Sequence, residues 1–316
     1  MRSIKYFLTG LTLVVISFGH VVSVSAEAGE EGPARIDVEP MPTMFAGSTG
    51  EQYNWEQLLD AMNSADVIIM GEQHTDARGH AIQTKIIAAA GERWSELTLS
   101  LEEFDRSEQV ELSAFQHAEI TASELKAVRN FVMPVVRDNW MEWNLPKLET
   151  ARQSQASLLA SNAPLKYSRL VRNVGCDNLP ELAPEERALF DCPSVAEDPA
   201  YKARFVRNLK ASIGRNKPAG MKPLEEAQTD RMFRALRVWD ATMAASIVQA
   251  RTDGANKVLH VVGSQHSDFN GGLIQELQHR DPDSRLLVIC LTPKRAAKLA
   301  ATDRGRADVI IYTRRQ

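Results

Sequence analysis

A chain of 316 residues is long enough for one large domain or two modest ones. Hydrophobic residues make up 44% of it and charged residues 25%, which is an ordinary globular balance, and the formal net charge is −4. The chain therefore lacks the basic excess that phosphate binding requires, and this argues against nucleic acid as its main partner.

The first 26 residues have the features of a signal peptide. Arg2 and Lys5 precede the apolar stretch YFLTGLTLVVISFGHVV, and Val24-Ser25-Ala26 has the small-x-small pattern of a cleavage site. A membrane anchor is the alternative, but the apolar core is short and is interrupted by Gly, Ser and His. We therefore expect cleavage after Ala26 and an exported protein that is soluble in the periplasm.

The part of the chain that follows begins with a segment of low structural signal. Residues 27–50 are rich in Gly, Pro and Glu without an apolar period, which predicts a flexible leader or an edge segment. The stretch NWEQLLDAM then has helical periodicity, and DVIIM has the length and composition of a buried strand. DARGHAIQTKIIAAAGERW follows as a predicted helix and LTLSLEEF as a second predicted strand.

The middle of the chain, about residues 106–250, fits a helical period better than a strand period. SEQVELSAFQHAE and NLPKLETARQSQASLLASN are examples, and we expect this region to form a helical insertion or lid. In the last third, the predicted strands KVLHVVG, RLLVICL and DVIIYT are separated by the predicted helices GLIQELQ and PKRAAKLAA. This alternation predicts an α/β fold, with a mostly parallel sheet flanked by helices in a single domain over residues 51–316.

Export changes what the three cysteines imply. In an oxidising compartment Cys176 and Cys192 could pair across the loop between them, which would leave Cys290 as a buried thiol in a strand. Three free cysteines are the alternative, because spacing alone does not define connectivity. No CxxC motif is present, so a zinc ribbon or a thioredoxin-type site is not supported.

Two of the predicted strands end in the same Gly-x-Gln-His motif. VIIM runs into GEQH, which ends at His74, and VLHVV runs into GSQH, which ends at His266. Glu102 and Glu103 end another predicted strand. Because ligands of open α/β sheets bind beyond the carboxyl ends of the strands, we expect these side chains to meet at one edge of the sheet. The alternative is that each histidine is a turn residue or a cap on the next helix.

Two imidazoles with one or two carboxylates are a common ligand set for a transition metal. We therefore expect His74, His266, Glu72 and Glu102 to hold a divalent ion such as Mn, Zn or Fe, or to bind another cofactor. Glu102 and Glu103 are the candidate catalytic bases. Strand alternation sends one of them inward and the other outward, and the last inward position favours Glu102.

The remaining candidates are weaker. Arg106 could contact an anionic ligand of the cofactor site, and a salt bridge at the start of a helix is the alternative. Among the other histidines, His260 lies inside a predicted strand and is expected in the core. His80 is expected behind the site or on the surface, and His117 and His279 on the surface.

Five stretches, in this order, resemble the ChaN-like family of haem-binding uptake proteins in the wider Tiki/TraB-like group: VIIMGEQHTDARGHAIQ, LSLEEFDRSEQ, LLASNAPLKYSRLVRNVG, RVWDATMAASI and VLHVVGSQH. The resemblance spans roughly residues 55–312. It implies an α/β fold, an exported or envelope location, and a role in haem or iron acquisition. Lipid-anchored members carry a cysteine at the cleavage site, where this chain has Ala26 and Glu27.

The resemblance also assigns roles to single residues. It places the family's two Gly-x-x-His motifs at His74 and His266, and its glutamate at Glu102. It places the family's Asp-x-x-Met-Ala helix at Asp240 and Met243.

Two functions compete. In the first, the protein binds haem in an apolar cleft between the strand ends and the helical middle, with a wall supplied by FVMPVVRDNWMEW. A histidine or one of Tyr167, Tyr201 and Tyr312 would hold the iron, and no motif marks which tyrosine. In the second, a metal-dependent hydrolase of the Tiki peptidase type uses the His/Glu site to activate water. The partners would be haem or a peptide substrate, a membrane uptake system, and a second copy in a homodimer.

Overall fold

The computed structural model describes residues 41–129, 133–215 and 224–314, and these residues form one sheet with helices on both faces. The strand order is β2-β1-β8-β7-β3-β6-β4-β5, and every pair from β8 to β5 is parallel. The predicted mostly parallel α/β fold is therefore confirmed. The strands are β1 Thr43–Ala46, β2 Gln52–Tyr53, β3 Val67–Glu72, β4 Leu97–Asp105, β5 Ser157–Asn162, β6 Lys257–Gly263, β7 Leu286–Thr292 and β8 Val309–Tyr312.

The central strands are buried on both faces because helices cover each side of the sheet. In β3, Ile68 and Met70 pack into the core on one face, and Val67 and Ile69 pack into the core on the other. The helices are α1 Trp55–Ser64, α2 Ala77–Arg93, α3 Gln109–Gln116, α4 Ala122–Val128, α5 Pro134–Asp138, α6 Trp140–Trp143, α7 Leu145–Gln153, α8 Leu165–Val174, α9 Pro184–Arg187, α10 Pro199–Arg215, α11 Glu226–Thr252 and α12 Gly272–Arg280.

Of the two alternatives for residues 27–50, a flexible leader or an edge segment, the last part has the second, because β1 lies there beside the edge strand β2. Met44 and Phe45 are buried, and β1 pairs antiparallel with β8 on one side and with β2 on the other. Two buried side chains on a paired strand outweigh the local Gly and Pro content. The expected signal peptide, residues 1–26, and the leader up to residue 40 lie outside the described residues.

The insertion expected over about residues 106–250 is not helical throughout. The stretch QASLLASN continues the predicted helix in sequence, but α7 ends at Gln153 and a turn with positive φ at Gln155 leads into β5. β5 pairs in parallel with β4, which buries Leu158 and Ala160 in the core. The gain from pairing with the open edge of β4 outweighs the local helical preference.

A second predicted helix is also missing. Of the stretch PKRAAKLAA, residues 293–301, only Ala301 is helical, at the start of a short 3-10 turn. Its apolar side chains pack as a loop over the buried rings of Phe45 and Tyr312. The Tyr312 hydroxyl accepts a hydrogen bond from the backbone N–H of Ala300, which holds the loop against β8.

A disulfide joins Cys176 and Cys192, across a sequence separation of 16 residues. The structure thereby selects the paired alternative, and Cys290 is a free, buried thiol in β7. Both bridged cysteines pack against a buried cluster that includes Val238 of α11. Among the described helices, none is long and apolar enough to cross a membrane.

The disulfide gives a stability prediction. Cys192→Ser should lower the free energy of unfolding by about 3 kcal/mol, because closing a loop of roughly 15 residues removes that much entropy from the unfolded chain. Urea unfolding of the oxidised wild type and variant measures the difference. The same pair in reductant is the control, in which the two midpoints should coincide. Equal midpoints for the two oxidised proteins would contradict the prediction.

Candidate functional site

The two Gly-x-Gln-His motifs lie side by side because β3 and β6 are adjacent parallel strands in matching register. Glu72 is paired with Gly263 in the sheet, and the backbone N–H of Ser264 donates to the carbonyl of Glu72, at 2.8 Å. The Gln73 amide also donates to the Ser264 hydroxyl, at 2.7 Å. The expectation that folding brings His74 and His266 to one edge of the sheet is met by this geometry.

The glycine of each motif packs against side chains at the other strand end. A Cβ atom on Gly263 would lie 2.8 Å from Nε2 of His74, and a Cβ atom on Gly71 would lie 2.6 Å from Oγ of Ser267. Both distances are too short for real side-chain contacts, so only glycine permits this close approach. The backbone N–H of Gly263 also donates to Glu102, at the end of the neighbouring strand β4.

His266 is held between two carboxylates. Its Nδ1 lies 2.6 Å from Oδ1 of Asp240 on α11, and its Nε2 lies 3.3 Å from Oε1 of Glu102. Behind them the Tyr201 hydroxyl donates to Oδ2 of Asp240, at 2.9 Å. Burial lowers the pKa of His266, but the two carboxylates outweigh burial and raise the pKa to about 10. The imidazole is therefore a buried cation at neutral pH.

The pKa of Glu102 is shifted in the opposite direction. Burial raises its pKa, but the neighbouring His266 and His74 outweigh burial and lower the pKa to about 2. Glu102 is therefore an ionised partner of both imidazoles. The Glu102 carboxylate interacts with the rings of His74 and His266 and accepts a hydrogen bond from the backbone N–H of Gly263, so it can hold these groups in position.

His74 is the accessible imidazole of the site. Its Nδ1 lies 3.0 Å from Oε1 of Glu72, and its side chain is 37% exposed. Burial lowers the pKa of His74, whereas Glu72 and Glu102 raise it, and the result is about 9. Within the described part of the chain, Nε2 of His74 makes no hydrogen bond, so this nitrogen is open toward a ligand.

His80 and Lys147 lie behind Glu72. The His80 ring is buried, 3.3 Å from Oε2 of Glu72, and stacks on Trp143. Nζ of Lys147 lies 3.7 Å from the same carboxylate oxygen. The pKa of Glu72 is well below its usual range, because the nearby cations and hydrogen bonds outweigh the effect of burial.

These strand ends open into a cavity of about 730 Å³. This volume lies within the ~300–1,000 Å³ typical of small-molecule and cofactor sites. The polar part of its wall includes Glu72, His74, Glu102 and His266. The apolar part comes mainly from the helical middle of the chain and includes Met133 and Val136 of the segment expected there. Its other apolar residues are Leu101, Phe205, Ala211, Leu236, Trp239 and Val261.

Glu103 and Arg106, the other candidates, have different positions. Glu103 lines the cavity, but its carboxylate accepts hydrogen bonds from Arg129, at 2.9 Å, and from Trp140, at 3.1 Å. Arg106 is absent from the cavity wall and forms a salt bridge with Asp191, at 2.9 Å. The structure thus supports the salt-bridge alternative for Arg106 rather than the ligand contact.

The other candidate histidines, His117, His260 and His279, and the three candidate tyrosines lie outside the cavity wall. His260 is a buried core residue whose pKa burial lowers to about 3, and His117 and His279 are exposed. The hydroxyls of Tyr167, Tyr201 and Tyr312 donate to Glu186, Asp240 and Asp303, and none of these rings lines the cavity.

Sequence reasoning missed many polar residues of the cavity wall, among them Arg129, Asn144, Lys147 and Arg306. They belong to helices or loops that come next to the strand ends only in the fold, and no local motif marks them.

The metal alternative finds no support in the site geometry. Among residues 41–129, 133–215 and 224–314, no group of three or more His, Cys, Asp or Glu side chains is arranged to hold a metal ion. His266 has both ring nitrogens against carboxylates, and His74 has one. The side chains expected as metal ligands therefore pair with each other, and a metal-dependent hydrolase is not favoured.

An α/β sheet with a ligand-sized cavity at the carboxyl ends of its strands defines a protein that binds a small molecule or cofactor. A family model described as haem-binding uptake, Tiki superfamily, ChaN matches residues 58–277. The chain belongs to this family.

The solved structure of one ChaN protein agrees with the fold. ChaN of Campylobacter jejuni, in a structure that describes cofacial haem binding, is 18% identical, with a TM-score of 0.59 over 86% of this chain and 96% of that one. An erythromycin esterase is 14% identical, with a TM-score of 0.44 over 85% and 83%. No curated protein sequence matched the chain.

The charged state of His266 predicts a pH dependence. Because its pKa is raised from 6.5 to about 10 in the folded protein, its contribution to stability is complete below pH 6.5 and is lost as pH rises toward 10. Asp240→Asn removes one carboxylate that causes the shift. We expect this variant to lose less free energy of unfolding over that pH range than wild type does, as measured by urea unfolding at several pH values.

Asp253→Asn is the control, because Asp253 is exposed just beyond the end of α11. It should keep the wild-type pH dependence. An Asp240→Asn variant with the wild-type slope between pH 6.5 and 10 would show that Asp240 does not stabilise the charged His266.

Proposed function

We propose that this chain is an exported haem-binding protein that takes part in haem or iron acquisition. The observation that carries the proposal is the cavity of about 730 Å³, with an apolar wall on the helical side and an open imidazole on the strand side. Membership of the haem-binding uptake family supports haem as the ligand.

The residues of the cavity fit the chemistry of haem. Haem has a broad apolar ring, an iron that accepts an axial nitrogen ligand, and anionic carboxylate groups at one edge. Phe205, Leu236 and Trp239 offer apolar surface to the ring. Charged side chains, including His74, Lys147 and Arg306, share the same cavity wall, so the cavity offers both apolar and charged surface to a ligand.

His74 is the residue that we propose as the iron ligand; iron binding would displace the proton that Nε2 carries at neutral pH, because the pKa of His74 is raised to about 9. Glu72 contacts Nδ1 of its ring and orients Nε2 away from that carboxylate. His266 is the other imidazole expected to contact the cofactor, but both of its nitrogens already face carboxylates. We propose that His266 and Glu102 hold the side chains around His74 in position at the strand ends.

The first experiment is a haemin titration followed by absorption spectroscopy. Wild type should bind haemin with a shifted Soret band. His74→Ala should bind it at least about tenfold more weakly, which corresponds to roughly 1.4 kcal/mol, because the axial nitrogen is lost. The measurement is the dissociation constant for each protein.

His279→Ala is the matched control, because His279 is exposed on α12 and is absent from the cavity wall. It should bind haemin as wild type does. No spectral shift in wild type would refute haem binding, and an unchanged affinity in His74→Ala would refute the assignment of the axial ligand alone.

Export is part of the same proposal. The charged start, apolar stretch and small-x-small pattern of the first 26 residues support it, and so does the disulfide, because disulfides persist in oxidising compartments. A role in acquisition further requires a partner that receives the ligand, for which we propose a membrane uptake system.

Mass spectrometry of the protein produced in a secreting bacterial host tests the export proposal. The mature chain should begin at Glu27, because a signal peptidase cleaves after the small residue Ala26. Ala26→Arg should block cleavage and retain the leader, whereas Ala28→Arg, beyond the cleavage point, should leave most cleavage intact. A wild-type chain that keeps residues 1–26 would contradict cleaved export.

A further inference from the structure

The cations of the cavity wall differ in how many carboxylates neutralise them. Arg129 contacts Glu103 at 2.9 Å and Glu108 at 3.5 Å. Arg306 contacts Asp268 at 2.6 Å and Asp303 at 3.2 Å. Each guanidinium group therefore has two acidic partners, and His266 likewise lies between Asp240 and Glu102.

Lys147, in contrast, has only one carboxylate partner among the described residues. Its nearest carboxylate is Glu72, at 3.7 Å, and Glu72 is closer to His74, at 3.0 Å, and to His80, at 3.3 Å. Its other contacts are the uncharged oxygen of Gln83, at 3.3 Å, and Nδ1 of His80, at 3.2 Å. The ammonium group is almost fully buried, so water does little to compensate its charge.

Asn144 adds a second polar group at the same place. It precedes the first residue of α7, is 3% exposed and lines the cavity. Its side chain does not cap the helix, and it makes no hydrogen bond to any described residue. Asn144 and Lys147 are three residues apart, so they lie on the same side of the first turn of the helix.

The start of a helix adds to the attraction for an anion. The aligned peptide dipoles of α7 place partial positive charge at its first turn, which is the turn that carries Lys147. A buried ammonium group, an amide without a partner and a helix N-terminus therefore converge on one corner of the cavity. Together they offer hydrogen-bond donors and positive charge to whatever enters there.

We propose that this corner, formed by Asn144 and Lys147 at the start of α7, is a subsite for a carboxylate group of the ligand. The inference rests on the proposed function, under which the carboxylate is a propionate of haem. The ligand's carboxylate adds a second negative charge beside Lys147, whose Glu72 partner, at 3.7 Å, also contacts His74 and His80. The apolar wall then takes the ring, and the corner sets which edge of the ring points inward.

The test compares haemin with its dimethyl ester, in which both carboxylates are blocked, by absorption titration. Wild type should bind haemin about tenfold more tightly than the ester, a difference that corresponds to roughly 1.4 kcal/mol. Lys147→Met should bring the ratio of the two affinities close to one, because haemin binding loses more affinity than ester binding does. Asn144→Ala should reduce the ratio about threefold.

Two control variants have matched chemistry. Lys298→Met removes an exposed lysine, and Asn173→Ala removes an exposed asparagine on α8; neither residue belongs to the cavity wall. Both should keep the wild-type ratio. Circular dichroism checks the fold of each variant, and Asn144→Ala carries the test if Lys147→Met does not fold.

The outcomes separate the two proposals. A wild type that binds neither haemin nor the ester overturns both the function and the subsite. A wild type that binds both with equal affinity, or a ratio that Asn144→Ala and a folded Lys147→Met leave unchanged, overturns the subsite and leaves haem binding in place.

Discussion

The site depends on the close approach of two glycine-containing strand ends. Gly263 faces the His74 ring, and Gly71 faces Ser267, so each repeat of the motif occupies the space that a side chain on the other would need. Because the side chains leave no room for a Cβ atom, the two loops interlock with little freedom. Both histidines owe their positions to this packing, and Glu102 completes it from the next strand.

Pairing of opposite charges is the second constraint on the cavity. Buried charges are costly unless they are neutralised, and here carboxylates surround His266, Arg129 and Arg306. This pairing explains why a ligand set that resembles a metal site in sequence does not converge as one. Side chains that neutralise each other have fewer lone pairs and less charge to offer an ion.

The helical middle of the chain builds the opposite wall. Trp239 and Leu236 on α11 and Phe205 on α10 line the cavity, and the bridged cysteines and Trp239 pack against the same buried cluster. α11 also carries Asp240, which contacts His266. α11 therefore contributes residues to the apolar wall, to the ion pair with His266 and to the cluster that packs against the disulfide.

The order of secondary structure was readable from the sequence where burial produces a clear period. The strands that end in the two Gly-x-Gln-His motifs are short apolar runs buried on both faces, and the helices between them have one apolar face. The sequence-based prediction of a helix was wrong at QASLLASN, where pairing with β4 outweighs the local helical preference. It was also wrong at PKRAAKLAA, where packing on Tyr312 does so. Those forces act between residues distant in the chain, so no local period reports them.

By itself, the sequence determined the α/β class, the two histidines and Glu102 at the strand ends, and the family resemblance. Only the tertiary structure decided that Cys176 pairs with Cys192, that Arg106 contacts Asp191, and that Lys147 and Asn144 reach the cavity. The reason is physical: strand ends converge by a general rule of parallel sheets, whereas side-chain partners depend on how distant helices pack.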